Sequence, residues 1–215
     1  MSYRIDHAVY AVGDLDTAAD RWRDEYGLES LPGGRHPRWG TGNRIVPLGR
    51  DYLELIAVVD PSVASRTVLG RTLLRLTEDG DRWFSLCLAD DDLEATAARL
   101  GLEVESGSRT TPEGLELRWR SAGIDAEQRQ PWLPFFITWD VPDDQYPGRA
   151  GGNAGRGVEG IASAEVAGDP VRLRQWLGNA DVPIGVVDGP PGLRSVSLRR
   201  AGAAGELTID PGETA

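Results

Sequence analysis

The sequence contains no lysine, so every basic side chain is an arginine. Schiff-base chemistry, attachment of pyridoxal phosphate and phosphate binding by a P-loop all depend on lysine and are excluded. There are only two histidines, His7 and His36, so one chain cannot build a three-histidine zinc site. Proton transfer near neutral pH must use these two rings, or a carboxylate or tyrosine with a shifted pKa. We expect no pyridoxal phosphate, NAD or nucleotide cofactor.

Cysteine and positive charge are also scarce. The single cysteine, Cys87, excludes an internal disulfide and a cysteine-based zinc cluster, and its apolar surroundings predict an inert buried thiol. A formal net charge of −11 argues against nucleic acid and anionic membranes as partners. No apolar run is long enough to cross a bilayer, so we expect a cytoplasmic protein with no membrane partner.

The pattern of apolar residues predicts repeated β-α-β-β-β modules. The first module, residues 1–60, has a strand with His7, a helix, a Gly-rich hairpin over 33–43 and a strand with Glu54. A second module over 61–140 begins with a helix over 63–76 and repeats the start of the first: DLDTAA is echoed by DLEATAA. Residues 141–160 are rich in glycine and proline and predict a linker or flap. Residues 161–215 predict a third module or an ordinary α+β tail.

The ordered motifs of the first two thirds of the chain resemble the glyoxalase-like domain proteins of the vicinal oxygen chelate superfamily, which also includes bleomycin resistance proteins and extradiol dioxygenases. The resemblance implies an α+β fold whose βαβββ modules form curved mixed sheets around a cup-shaped pocket. The motifs that carry it are Asp6-His7, Asp14-Leu15, Gly33-Gly34, His36, Gly40-Thr41, Asn43, Tyr52-Leu53-Glu54-Leu55, Leu115 to Trp119 and Leu133-Pro134-Phe135-Phe136.

In that superfamily a divalent metal sits inside the cup, held by a His on the first strand and a Glu on the last strand of each module. Carried over, the resemblance implies that His7 and Glu54 bind Mn, Ni, Zn or Fe. The second module departs from this pattern, with Ser85 in place of the His and Phe or Ile in place of the Glu. A third ligand would come from His36, from Glu165 or from a partner subunit. The last source requires a homodimer, which the sequence leaves as a possibility.

The Gly-rich hairpin is predicted to line the mouth of the cup, because glycine lets the backbone approach a ligand closely. We predict His36 and Glu54 as catalytic residues. A second set of side chains is predicted to contact a small-molecule ligand: Arg35, His36, Trp39, Thr41, Asn43 and Trp119. The structural alternatives are that His7 is a hydrogen-bonded core residue, that Glu54 pairs with His7, Arg44 or Arg118, and that His36 only orders its loop.

Three functions follow from these observations. The first is a glyoxalase-like enzyme of lyase, isomerase or dioxygenase type that acts on a small organic molecule. The second is a non-catalytic binding protein of the antibiotic-sequestering type, which the missing second-module ligands and the seven tryptophans favour. The third is an interaction module without a pocket. The presence of a metal separates the first two.

Overall fold

The protein was analysed as a computed structural model that describes residues 2–127, 130–151, 157–202 and 205–210. The first module forms one helix and four strands, each bounded by turn residues or a helix cap. The Asp14 side chain caps the helix at its start, and Gly27, at a φ of 70°, ends it. The elements are β1 (Tyr3–Ala11), α1 (Leu15–Tyr26), β2 (Leu31–His36), β3 (Thr41–Pro47) and β4 (Tyr52–Val58).

The second module repeats this order after two connecting helices. Asp92 caps its main helix as Asp14 caps the first, and Gly101 ends it at a φ of 67°. The elements are α2 (Pro61–Ala64), α3 (Val68–Leu76), β5 (Arg82–Asp90), α4 (Leu93–Leu100), β6 (Val104–Thr110), β7 (Glu116–Ala122), α5 (Ile124–Glu127) and β8 (Phe135–Trp139).

The eight strands close into a barrel in the order β1-β4-β3-β2-β6-β7-β8-β5. Within each module the first strand pairs in parallel with the last, β1 with β4 and β5 with β8. The modules meet along two antiparallel seams, β1 with β5 and β2 with β6. This mixed sheet curled around a pocket confirms the predicted fold class. Among the described residues, no helix has the length and apolar character needed to traverse a bilayer.

Glycines let the barrel close where the strands are most crowded. Gly33 lies so close to Asn43 that a Cβ would stand 2.2 Å from Oδ1 of Asn43, and a Cβ on Gly34 would stand 2.7 Å from the carbonyl oxygen of Thr110. Both glycines belong to β2, where the sequence had suggested a turn. Close packing of strands, rather than a turn, therefore accounts for these two glycines.

Two further elements differ from the sequence prediction. The single helix predicted over 63–76 is two helices, because the Thr67 side chain caps a new helix by accepting a hydrogen bond from the N–H of Gly70. Gly70 also packs against Ala64, where a Cβ would lie 2.4 Å from the carbonyl oxygen. Strand β6 had not been predicted, because only Arg109 of its seven residues is buried.

The rest of the described chain packs on the outside of the barrel. Two short 3₁₀ helices, Asp143–Gln145 and Pro147–Arg149, precede a second sheet. Its strand order is β10-β9-β11-β12, so its first strand pairs with the second and third strands rather than with the last. The elements are β9 (Val158–Ala167), α6 (Pro170–Trp176), β10 (Ile184–Val187), β11 (Gly192–Arg200) and β12 (Glu206–Ile209).

One hydrophobic core joins the barrel to this second sheet. The indole N–H of Trp83 in β5 donates to the carbonyl oxygen of Ile209 at 2.8 Å, and that of Trp176 donates to the carbonyl oxygen of Pro134 at 2.8 Å. These contacts fix the outer face of the barrel and leave its interior open.

Candidate functional site

The barrel encloses a cavity of about 90 Å³ that opens to solvent. Inward-pointing side chains of both modules line it, because alternate residues of each strand face the interior. The polar lining residues are His7, His36, Asn43, Tyr52, Glu54, Ser85 and Arg109, and the apolar ones are Val9, Trp39, Ile56, Leu69, Phe84, Trp119, Ile124, Phe135, Ile137 and Trp139.

His7 is held in one orientation by its neighbours. Its Nδ1 lies 2.8 Å from Oδ1 of Asp6, and its ring stacks on Tyr52 with a centroid separation of 4.4 Å. Phe135 packs against it edge-on. Because a carboxylate only accepts hydrogen bonds, Nδ1 donates its proton to Asp6, and Nε2 is the ring nitrogen left for another partner.

Glu54 presents its carboxylate to the same part of the cavity. Its Oε1 accepts a hydrogen bond from Nδ2 of Asn43 at 2.7 Å, and its Oε2 lies 3.7 Å from Nε2 of His7. The two arginines considered as alternative partners bind elsewhere. Arg44 contacts Ser30 and Asp16, and Arg118 contacts Glu116.

The His7–Glu54 gap has the dimensions of a shared metal site. A separation of 3.7 Å is too long for a direct hydrogen bond. It is compatible with two ligands that bind one ion at about 2.0–2.2 Å each. A carboxylate on the far nitrogen of the imidazole, as Asp6 provides, is the usual second contact of a metal-binding histidine. The donor set therefore fits a divalent ion, with two protein ligands.

A second group of ligand atoms lies behind this gap. Asp6, His7 and Cys87 are all buried and offer one atom each within 4.8 Å of one another. The Asp6 carboxylate already accepts hydrogen bonds from His7 Nδ1, from the indole N–H of Trp139 at 3.2 Å and from the hydroxyl of Tyr146 at 3.1 Å. A carboxylate with three donors is occupied as an acceptor, so this group supports His7 rather than competing with its Nε2.

The second module has no matching ligands. Ser85 stands seven residues before the cap of its helix, as His7 does in the first module, and lines the cavity with Phe135 and Ile137. The Ser85 hydroxyl and Oδ1 of Asn43 are buried and have no hydrogen-bond partner among the described residues. Buried polar atoms of this kind normally find a partner, so these two oxygens are unsatisfied polar atoms of side chains that line the cavity.

His36 reaches the cavity from the end of β2. It is the last residue of that strand and is only 7% exposed, whereas the sequence analysis had placed it in the loop of the Gly-rich hairpin. Its Nδ1 lies 3.0 Å from the hydroxyl of Thr41, and its ring packs edge-on against Trp39. Burial lowers the pKa of His36, Arg109 lowers it further and Glu54 opposes the shift. The ring is therefore neutral at neutral pH.

Arg109 was missed by the sequence reasoning. It is only 6% exposed, lines the cavity from β6 and donates from Nη1 to the carbonyl oxygen of Gly33 across the seam between the modules. Burial lowers the pKa of its guanidinium. The mostly polar, exposed pattern of β6 gave no signal for an inward-facing strand.

The remaining predicted residues fall in different places. Trp39 and Trp119 line the cavity, whereas Thr41 supports His36 from outside the lining. Arg35 is exposed and points away from the cavity. Glu165 is exposed on the second sheet, where its carboxylate accepts a hydrogen bond from Ser195, so it does not supply a third ligand here.

Comparison with known proteins gives a family and a fold. The family model described as "Glyoxalase-like domain" matches residues 5–180. No curated protein matches the chain. The crystal structure of a hypothetical protein from Staphylococcus aureus is 18% identical with a TM-score of 0.73, and the match covers 95% of this chain and 93% of that chain.

Two epimerase structures align more loosely and over less of the chain. Methylmalonyl-CoA epimerase from Mycobacterium tuberculosis is 20% identical with a TM-score of 0.45, and the match covers 64% of this chain and 88% of that chain. A Streptomyces coelicolor methylmalonyl-CoA epimerase variant in complex with 2-nitronate-propionyl-CoA is 21% identical with a TM-score of 0.46. The match covers 64% of this chain and 95% of that chain. The first structure bears on fold alone, and these two align too loosely to bear on activity.

Proposed function

The chain belongs to the glyoxalase-like domain family, a part of the vicinal oxygen chelate superfamily, and on that premise we propose that it is an enzyme acting on a small organic molecule inside the barrel. The proposal includes a divalent ion held by His7 and Glu54. The observation that carries it is Nε2 of His7 facing Oε2 of Glu54 at 3.7 Å, with Nδ1 of the same ring held by Asp6. A cation bound between this ring nitrogen and this carboxylate oxygen would satisfy both atoms in a buried site.

The ion would act as a Lewis acid that polarises oxygen atoms of the substrate. His36 is the residue best suited to move a proton. Its neutral ring is held at Nδ1 by Thr41. In the tautomer whose Nδ1 donates to that hydroxyl, Nε2 can take a proton from the substrate and return it. Removal and return of one proton needs no co-reactant, which favours isomerisation among the reactions open to the fold. Asn43 holds Glu54 in place through its amide N–H.

Metal binding tests the proposal most directly. Protein purified without a His tag is titrated calorimetrically with Mn²⁺, Ni²⁺ and Zn²⁺. We expect modest affinity, because two protein ligands leave most coordination positions to water. Binding should be lost in both His7→Ala and Glu54→Ala.

Glu165→Ala is the matched control, since it removes an exposed carboxylate from the other sheet and should leave binding intact. Equal binding by wild type and by all three variants would place the ion elsewhere. No binding by wild type would leave the proposed site without an ion, and the metal-dependent enzyme would be abandoned.

A second candidate is a non-catalytic small-molecule binder. Ser85 and Phe135 favour it, because they occupy the cavity wall where a second pair of ligands would complete a metal site. The binder would keep its ligand chemically unchanged over long incubation, whereas the enzyme would convert it. Mass spectrometry of a ligand recovered after incubation with wild type and His36→Ala separates the two candidates.

A further inference from the structure

Arg109 is an unusual residue to find in the interior of this barrel. Arginine is almost never fully buried without a partner. Within the described part of the chain, no carboxylate lies within 4 Å of this guanidinium, and its one hydrogen bond goes to the carbonyl oxygen of Gly33. A guanidinium has five N–H donors, so most of its capacity is unused.

The position of Arg109 makes that capacity available to a ligand. The side chain lines the cavity together with His36 and Asn43. Arg109 is on β6, and the other two residues are on β2 and β3, across the seam between β2 and β6. The walls around it are largely aromatic or aliphatic, with Trp119 and Phe135 among them. A ligand that fills this space therefore meets one buried cation at the edge of an apolar surface.

We infer that Arg109 binds the carboxylate of the substrate, so that the cavity selects a small organic monocarboxylate with an apolar body. The inference rests on the proposed function, since it assigns the substrate class of the same site. A planar guanidinium matches a carboxylate through two parallel hydrogen bonds. The apolar body would lie against Trp119 and Phe135.

The structural alternative is that Arg109 only ties β6 to β2. Those strands share a single paired position, Arg35 with Thr110, so the contact with Gly33 strengthens a short seam. Under that alternative, replacing Arg109 changes stability but not the preference for charged ligands.

The test compares acids with their neutral amides. Benzoate and benzamide, and hexanoate and hexanamide, are titrated into the full-length protein by ligand-observed NMR after treatment with EDTA, which removes any ion that could itself bind a carboxylate. We expect each acid to bind in the millimolar range or tighter and to exceed its amide by about tenfold or more. Arg109→Gln should abolish this preference, and Arg109→Lys should keep part of it.

Arg35→Gln is the control, because Arg35 is exposed on the neighbouring strand and lies outside the cavity lining. Equal binding of acids and amides by wild type, or no binding of any acid at millimolar concentration, overturns the inference even if Arg109→Gln fails to fold. An unchanged preference in folded Arg109→Gln also overturns it. Carboxylate binding without metal binding would refute the metal-dependent enzyme and leave the assignment of Arg109 standing. Metal binding without carboxylate binding would refute the assignment of Arg109 and leave the metal-dependent enzyme standing.

Discussion

The two halves of the barrel share a backbone plan but present different chemistry to the cavity. The first module contributes His7, Asn43 and Glu54, which are joined by short contacts. The matching wall of the second module contributes Ser85 and Phe135, together with other apolar side chains. Each module places its first and last strands side by side in parallel, so the difference lies in side chains and not in topology.

This comparison separates what the fold requires from what the site requires. Both helices keep the aspartate cap and the C-terminal glycine in the left-handed conformation, because these residues determine where the helix begins and ends. Inward positions on the strands are free to change, since either a polar or an apolar side chain fills the cavity wall. A duplicated module can therefore keep its fold and present an apolar face in place of its ligands.

The largest expected effect comes from making the second module resemble the first. The double variant Ser85→His, Phe135→Glu places an imidazole and a carboxylate opposite His7 and Glu54. We expect affinity for Mn²⁺ or Zn²⁺ to rise by about a hundredfold, because the number of protein ligands doubles. The metal-free variant should melt at a lower temperature than wild type, since it buries a new carboxylate.

Calorimetric titration and thermal melting with and without the ion check this prediction. The matched control is Ser85→Asn, Phe135→Gln, which has nearly the same shape and weaker ligands. Wild-type affinity in the His/Glu variant would show that the two walls do not face a common ion.

Glycine substitutions in the two modules should have a smaller effect. Both should lower the free energy of unfolding, but only the one in the first module should also weaken ion binding. A Cβ at Gly33 would stand 2.2 Å from Oδ1 of Asn43, and a Cβ at Gly107 would stand 2.4 Å from the indole of Trp119. Gly33→Ala and Gly107→Ala should each cost about 1–3 kcal/mol of unfolding free energy through overpacking. Only Gly33→Ala should also weaken ion binding, because it displaces the side chain that holds Glu54.

Urea denaturation and ion titration together measure these effects. Gly185→Ala is the control, because its Cβ would meet ordinary contacts no closer than 3.8 Å. If Gly107→Ala weakened ion binding as much as Gly33→Ala, the polar and apolar walls would not be independent.

The smallest expected effect lies where the barrel meets the second sheet. Burial raises the pKa of Asp51 to about 7, although its carboxylate accepts a hydrogen bond from the N–H of Ile161 and lies near Arg4. An aspartate whose pKa is higher in the folded state contributes stability below its unfolded pKa of about 4, and this is lost as the pH rises towards 7. Relative to wild type, Asp51→Asn should therefore gain about 1–2 kcal/mol between pH 6 and pH 8.

Urea denaturation of both proteins at each pH gives this difference directly. The amide keeps an oxygen that can accept from Ile161, so the variant should remain folded. A constant difference between the two proteins across this range would mean that Asp51 is ionised in both states.

The sequence predicted the barrel better than it predicted the cavity. Periodicity, helix caps and the DLDTAA echo identified both modules, since each signal is local. Contacts across the seams between the two modules could not be predicted from local sequence patterns. Arg109 and the glycines of β2 acquire their roles from strands far away in sequence, and β6 has too few buried residues to be recognised as a strand. The pairing of His7 with Glu54 was proposed from family resemblance, and its 3.7 Å separation comes from the structure.

Tyr146 belongs to the segment predicted as a linker, yet it is buried against the barrel and its hydroxyl donates to Asp6. Its ring also packs against Tyr52 and Trp139, one from each module. The two-module barrel is therefore not a self-contained cassette that could be excised at residue 140 and grafted onto another protein. A barrel cut at that point would lack the Tyr146 hydroxyl that donates to Asp6. Asp6 would then hold the His7 ring less firmly.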